Sequence, residues 1–218
     1  MSLSERLRRV LQGPLPGLEV QRRMAPRWRV GAESFLTTDR LRPAAGLIAL
    51  YPVEGRWYLP LPQRGTALRQ HRGQVSLPGG RMDPGESPVQ TALREAHEEV
   101  GIVPADVEIL GALTPLPISV SEYLLHPIVG VLASRPAFQV ASGEVDRLIE
   151  VAIEDLLHPD VVKWEVRCRT RPPEVVMDVP YFDVADHRVW GATAMVLSEF
   201  VAVVTQAEAE TDASASGR

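Results

Sequence analysis

Apolar positions fall into short runs separated by proline and glycine, and their periods differ. Leu3, Leu7, Val10 and Leu11 can share one face of a helix over residues 2–12, and Ser2 with Glu5 has capping-box spacing. A frayed terminus is the competing reading there. Pro14, Pro16 and Pro26 then predict an extended, irregular stretch. Residues 44–51 form an apolar run of strand length. Residues 57–61 read as a second strand after the turn-like Glu54-Gly55, with Pro60 and Pro62 predicting an edge position or an early end. Residues 107–113, 123–132, 161–167 and 176–184 are rich in β-branched and aromatic residues and read as strands.

The strongest helix signal covers residues 87–100. Ser87 suits the N-cap, Pro88 the first helical position, and Gly101 the position just past the end. Residues 153–157 fit one helical turn. Residues 191–205 are apolar on most sides and read as a packed closing helix opened by Trp190-Gly191, which is expected to pack beneath the sheet, with residues 207–218 as a small, polar, disordered tail. Strands on both sides of a central helix, followed by a final helix, predict a mixed β-sheet flanked by helices, an α+β arrangement.

Composition narrows the classes. The chain has 218 residues, enough for one domain with extensions. Acids outnumber bases 28 to 23, so a basic nucleic-acid-binding surface is not expected. The single cysteine, Cys168, excludes an internal disulfide framework and a Cys-based zinc site, and is expected to pack as a small apolar residue. No apolar run approaches the roughly 20 residues of a membrane span, and the start lacks the apolar core of a secretion signal. A cytoplasmic protein with no membrane and no nucleic-acid partner is the expectation. Trp57, Trp164, Tyr181 and Phe182 are expected in the core or at sheet edges rather than as stacking platforms.

On the predicted helix, Val89, Ala92, Leu93, Ala96 and Val100 fall on one flank. Glu95, Glu98 and Glu99 gather on the adjacent one. Like charges at these spacings disfavour a helix by about 0.2–0.5 kcal/mol per pair, and Arg94 alone does not neutralise three carboxylates. Such oxygen ligands suit a hard divalent cation bound together with phosphates. A solvated acidic face explains the helix equally well when it is taken alone.

The flanks change that balance. Pro78-Gly79-Gly80 and Pro84-Gly85-Glu86 precede the helix. The stretch reads Gly80, five residues, Glu86, seven residues, Arg94-Glu95-Ala96, one residue, Glu98-Glu99, one residue, Gly101-Ile102. This resembles the Nudix hydrolase motif at every fixed position. Seven fixed types at about one in fifteen each put chance agreement on the order of 10⁻⁸. The resemblance implies a Nudix fold, an α/β/α sandwich, and hydrolysis of a nucleoside-linked diphosphate with Mg²⁺ or Mn²⁺. It implies that Glu98 and Glu99 are metal ligands and that Glu95 is a third ligand or orients water. Glu86 would hold Arg94 or reach a metal through water. The general base varies in this family; Glu144, in Ser142-Gly143-Glu144-Val145, is the candidate for an extra carboxylate from a separate loop, with a surface acid as the alternative.

Upstream, the segment Leu61-Pro-Gln-Arg64-Gly65, three residues, Arg69, three residues, Gly73, three residues, Leu77-Pro78-Gly79-Gly80 is similar to the pattern of the coenzyme A pyrophosphatase subgroup. Arg64, Arg69, Gly73, Pro78, Gly79 and Gly80 match it, whereas Pro60, Pro62, Gly65 and Leu77 depart from it. The resemblance implies cleavage of coenzyme A to 3′,5′-ADP and 4′-phosphopantetheine. Arg64 and Arg69 would meet phosphate charge, with a solvated basic loop balancing the acidic helix as the alternative, and Gly79 and Gly80 would line the site. His71 and Arg72, which the pattern does not fix, read first as part of such a solvated loop. ADP-ribose or a dinucleoside polyphosphate is the alternative substrate, and a nucleotide-sensing module without catalysis is the alternative class. The expected organisation is an N-terminal extension over residues 1–30, the hydrolase domain over 31–206 and the tail. The extension covers either a partner subunit of a homodimer or its own domain.

Overall fold

The computed structural model describes residues 2–30, 41–65, 73–119, 121–169 and 175–216. Arg69, His71 and Arg72 therefore lie outside the described residues. The chain begins with α1 (Leu3–Leu11), α2 (Gly17–Arg22), β1 (Arg27–Val30), β2 (Arg42–Val53), β3 (Arg56–Arg64), β4 (Gly79–Arg81) and α3 (Pro88–Val100). It continues with β5 (Glu108–Ala112), β6 (Leu116–Ile118), β7 (Tyr123–Val131), β8 (Val145–Ala152) and α4 (Ile153–Leu157). Last come β9 (Val162–Arg169), β10 (Val175–Val184), β11 (His187–Trp190) and α5 (Ala192–Ser216).

The larger sheet has the order β5-β7-β2-β3-β8, with β4 also on β2 and β6 also on β7. The β2–β7 pair is parallel and the others are antiparallel, so the sheet is mixed. β2 is buried on both faces from Ala44 to Tyr51. Its odd positions, Ala45, Leu47, Ala49 and Tyr51, pack with Ala92, Ala96 and Val100 of α3. Its even positions Ile48 and Leu50 join a larger core with Leu7, Val10 and Leu11 of α1 and Leu197, Phe200 and Val204 of α5. Alternation along one strand thus produces the α/β/α sandwich. A smaller sheet places β9 on one side of β10, with β1 and β11 on the other.

Local signals account for most elements. Ser2 and Glu5 form a complete capping box on α1, as Ser87 and Gln90 do on α3. Gly101 takes the left-handed conformation (φ 77°) that ends α3.

The structure departs from the sequence reading in several places and decides one alternative that it left open. The stretch after Pro14 is not wholly irregular, because Pro16 caps α2, where a missing N–H costs nothing. α1 and α2 pack against α5 of their own chain, so the extension covers its own domain. β3 runs through Pro60 and Pro62. Arg64 N–H and Pro62 O bond Gln74 O and Ser76 N–H, on the side away from β8, and the two prolines share that parity. Their missing donors therefore cost the β3–β8 ladder nothing. α5 continues past Thr205 to Ser216, into the stretch expected to be disordered, because Gln206, Ala207, Glu208 and Ala209 favour helix and Ala207 is fully buried. Finally, Cys168 is exposed on β9 rather than packed.

By length and composition, residues Ala192–Ala209 of α5 could cross a membrane, which the sequence reading had not anticipated. In the fold they serve the core: Ala194, Val196, Leu197, Phe200, Val203, Val204 and Ala207 are fully buried.

Candidate active site

The acidic helix reaches the sheet through the short strand β4. Ala44, Ala45 and Gly46 of β2 pair with Arg81, Gly80 and Gly79, and Leu47 N–H bonds Pro78 O at 2.9 Å. This pairing leaves no room for side chains. A Cβ at Gly79 would lie 2.6 Å from Gly46 Cα, and one at Gly80 would lie 2.6 Å from the Glu95 carboxyl group. Close approach of backbone therefore requires glycine at 79, while a side chain at 80 would displace Glu95.

Glu86 organises the connecting loop. Its carboxylate accepts from Arg94 Nε at 2.8 Å, Arg94 Nη2 at 3.1 Å, Thr91 Oγ1 at 2.6 Å and Asp83 N–H at 3.0 Å. Those bonds, the Arg94 fork first, hold the Glu86 carboxyl down at about 2. Arg94 also donates to Glu95 Oε1 at 2.7 Å, Glu98 Oε2 at 3.1 Å and Arg81 O at 3.1 Å. One guanidinium thus gathers three carboxylates and the strand that precedes them, and these partners raise its own affinity for its proton.

Glu99 lies deeper. Its side chain is 10% exposed, and it accepts from Gly79 N–H at 3.1 Å, with Arg64 Nη1 3.9 Å away. Burial pushes its carboxyl up to about 7. The Gly79 bond and Arg64 oppose this, while the Glu95 and Glu144 carboxylates add to it. Glu95 is raised for the same first reason, burial.

A cleft of about 990 Å³ opens over these groups. Glu95, Glu99, Glu144, Arg64, Gly79 and Gly80 all line it. Glu144 comes from the loop before β8, where Gly65 N–H donates to Glu144 O at 2.8 Å. A Cβ at Gly65 would lie 2.9 Å from Gly143 O, so the departure from the upstream pattern at Gly65 permits this contact. Glu86, Arg94 and Glu98 do not line the cleft; Glu98 is 56% exposed and turned to Arg94.

The opposite wall had no sequence signal. Arg42 and Tyr123 line it, with the guanidinium 4.5 Å from the ring centre, because the parallel register of β2 and β7 brings together residues far apart in the chain. Trp190, Gly191 and Thr193 complete it where β11 meets α5. Trp190 was expected beneath the sheet, but it lines the cleft with Arg167 over its ring at 3.8 Å. Trp57 packs against the core, Tyr181 and Phe182 are buried, and Trp164 is exposed.

Among the described residues no three acidic or histidine side chains stand together as a preformed metal cluster. The donor set nevertheless suits a hard cation. Glu95, Glu99 and Glu144 offer only carboxylate oxygens to one cleft, and buried Glu99 has the Arg64 guanidinium 3.9 Å away. A divalent ion there would supply further counter-charge for the three carboxylates.

A mixed sheet between helices, with a glycine strand, an acidic helix and a forked Glu–Arg clasp beneath a cleft, defines a Nudix-type hydrolase domain. The NUDIX domain family profile matches residues 40–170. The chain is 32% identical over 171 residues to Nudix hydrolase 3 of Caenorhabditis elegans, covering 70% of this chain and 69% of that one. It is 36% identical over 164 residues to the uncharacterized Nudix hydrolase NudL of Photorhabdus laumondii, covering 74% and 84%. Among solved structures, a C. elegans Ap4A hydrolase binary complex aligns with 79% of this chain and 99% of its own, at 19% identity and a TM-score of 0.49. The chain belongs to the Nudix family of pyrophosphohydrolases, which act on small molecules and generally need divalent ions such as Mg²⁺ or Mn²⁺.

Proposed function

We propose that this chain hydrolyses the diphosphate of coenzyme A or a derivative, releasing 3′,5′-ADP and 4′-phosphopantetheine. The observation that carries the reading is Arg64. It matches the upstream pattern and points its guanidinium into the cleft that holds Glu95 and Glu99. Coenzyme A brings a 3′-phosphate beyond its diphosphate, and an arginine beside the acidic helix meets that extra charge with a bidentate fork. Arg69 is assigned the same task from the pattern alone.

In this reading Glu95 and Glu99, which line the cleft, would hold Mg²⁺ or Mn²⁺, and Glu98, to which the motif gives the same role, would join them by turning from Arg94. Such ions neutralise the diphosphate and lower the pKa of attacking water. The chain's own residues do the positioning. Glu86 fixes Arg94, Arg94 orients Glu95 and Glu98, and the Gly79 N–H fixes Glu99. Glu144 reaches the cleft from a different loop and is the candidate to take the proton from water.

Incubation of coenzyme A with the protein and Mg²⁺ in ¹⁸O-labelled water, with products identified by mass, tests substrate and point of attack together. Labelled 3′,5′-ADP or labelled 4′-phosphopantetheine is the expected result. Faster turnover of ADP-ribose or a dinucleoside polyphosphate would overturn the coenzyme A assignment. Near-normal turnover by both Glu98→Gln and Glu99→Gln would overturn the ligand assignment.

A further inference from the structure

Among the described residues the smaller sheet ends in an edge at β9, which pairs with β10 alone. Asp183 N–H donates to Val161 O at 2.9 Å, which fixes the phase of that ladder. Odd-numbered residues of β9 turn their N–H and C=O groups toward β10, and even-numbered residues turn theirs outward. Pro180, which has no N–H, sits opposite Trp164 in a pair that exchanges no bond, as this phase requires.

The same even-numbered residues carry the exposed apolar side chains. Val162 is 38% exposed, Trp164 45% and Val166 54%, on one face of one strand. Cys168 is exposed further along that face. A long edge strand with an apolar stripe is a template for pairing with another strand. Its odd-numbered face carries Lys163, paired with Asp183, and Glu165, paired with Arg167 and Arg188, and these exposed charges limit the partners it accepts.

We propose that β9 pairs antiparallel with β9 of a second copy of this chain, with the two-fold axis at Trp164. Charge and the apolar stripe together select this register. If outward-facing positions of both strands must meet, the axis can fall at residue 163, 164, 165 or 166. An axis at 163 sets Lys163 against its own counterpart. One at 165 sets Glu165 against its counterpart and Lys163 against Arg167. Like charges directly opposite destabilise an antiparallel pair. The axis at 164 sets Lys163 opposite Glu165 twice and the axis at 166 sets Glu165 opposite Arg167 twice, but only the axis at 164 sets all three exposed apolar residues of β9 against one another. The same register sets Trp164 against Trp164 and Val162 against Val166 on the apolar face. The two four-stranded sheets then become one, with no exposed edge at β9. A self-complementary patch of this kind closes as a two-fold dimer.

The test is sedimentation equilibrium of the full chain, with Val166→Lys and, as a second variant, Val162→Lys. The wild type is expected at twice the monomer mass, and each lysine variant at the monomer mass with an unchanged circular dichroism melt. Register is read by oxidising Val162→Cys/Val166→Cys in a Cys168→Ser background. The double variant is expected to form a covalent dimer, and Val162→Cys alone to remain uncross-linked. A wild-type monomer at the highest soluble concentration overturns the proposal. So does a dimer that both lysine variants leave intact, or cross-linking by Val162→Cys alone that equals the double variant.

Discussion

The Glu99 carboxylate accepts a hydrogen bond from the Gly79 N–H at 3.1 Å, joining the last turn of α3 to the strand in front of it. The Glu99 carbonyl also accepts from Ala141 N–H at 2.9 Å, in the loop that carries Glu144. One residue therefore ties together the glycine strand, the acidic helix and the loop that supplies the extra carboxylate. The arrangement holds a carboxyl group in a place where burial disfavours its charge.

That burial makes stability depend on pH in a stated direction. The Glu99 carboxyl is raised from 4.5 to about 7, so the folded protein keeps a proton that the unfolded chain has released. Ionisation of Glu99 then subtracts stability as pH rises from the unfolded value through the folded one. In a chelator, the wild-type Tm is expected to fall relative to Glu99→Gln between about pH 5 and pH 8. Added Mg²⁺ or Mn²⁺ should restore the wild type at the upper pH and leave Glu99→Gln unmoved. Parallel melting curves for the two proteins across that range would contradict the buried carboxylate.

The two site glycines should fail differently. A Cβ at Gly80 meets the Glu95 carboxyl, a flexible side chain that can swing aside. Gly80→Ala is therefore expected to fold with a melt close to wild type while kcat drops at least tenfold, because Glu95 is displaced. A Cβ at Gly79 meets the backbone of β2, with Gly46 Cα at 2.6 Å. Gly79→Ala should cost about 1–3 kcal/mol of stability, because overpacked backbone cannot yield. Denaturant melts and turnover on the same preparations separate the two; equal stability losses would refute the distinction.

How much of this was legible in the sequence depended on how local each cause is. α1 and α3 were readable because their caps and apolar faces lie within one element, as Ser87 and Gly101 illustrate. The grouping of Glu86, Glu95 and Glu98 around Arg94 was reached through the resemblance to the Nudix motif, since the helix taken alone read equally well as a solvated acidic face. The far wall was not, because Arg42 meets Tyr123 only through the register of two parallel strands. β4 and β6, three residues each, fall below the length at which alternation is visible. α2 was hidden by the prolines before it, and the outward position of Cys168 follows from which face of β9 the fold leaves uncovered.

The Glu86–Arg94 fork predicts a second pH effect of opposite sign. Glu86 is held from 4.5 down to about 2, so its contribution is present above the unfolded value and is lost as pH falls toward the folded one. Glu86→Gln should therefore flatten the acid limb of the stability curve between those values. Arg94→Lys keeps the charge but loses the fork and the reach to Glu95 and Glu98, and it should lower kcat about 10- to 100-fold. Wild-type kcat in Arg94→Lys would show that simple charge, rather than the fork, suffices.

Away from the cleft, Glu199 is fully buried on α5 and accepts from Gly17 N–H at 2.9 Å, Gln21 Nε2 at 2.6 Å, Thr114 N–H at 3.2 Å and Thr114 Oγ1 at 2.7 Å. Those donors belong to α2 and to the segment between β5 and β6, so one carboxylate fastens the N-terminal extension to the domain. Removing it strands buried donors, each costing about 1–3 kcal/mol when left unpaired. Glu199→Ala is expected to lower Tm by several degrees and to speed amide exchange in α2 more than in α3. Glu199→Gln keeps one acceptor oxygen but turns a donor toward donors, and it should fall between the two. Unchanged exchange in α2 of Glu199→Ala would mean that the apolar contacts of α1 with α5 hold the extension by themselves.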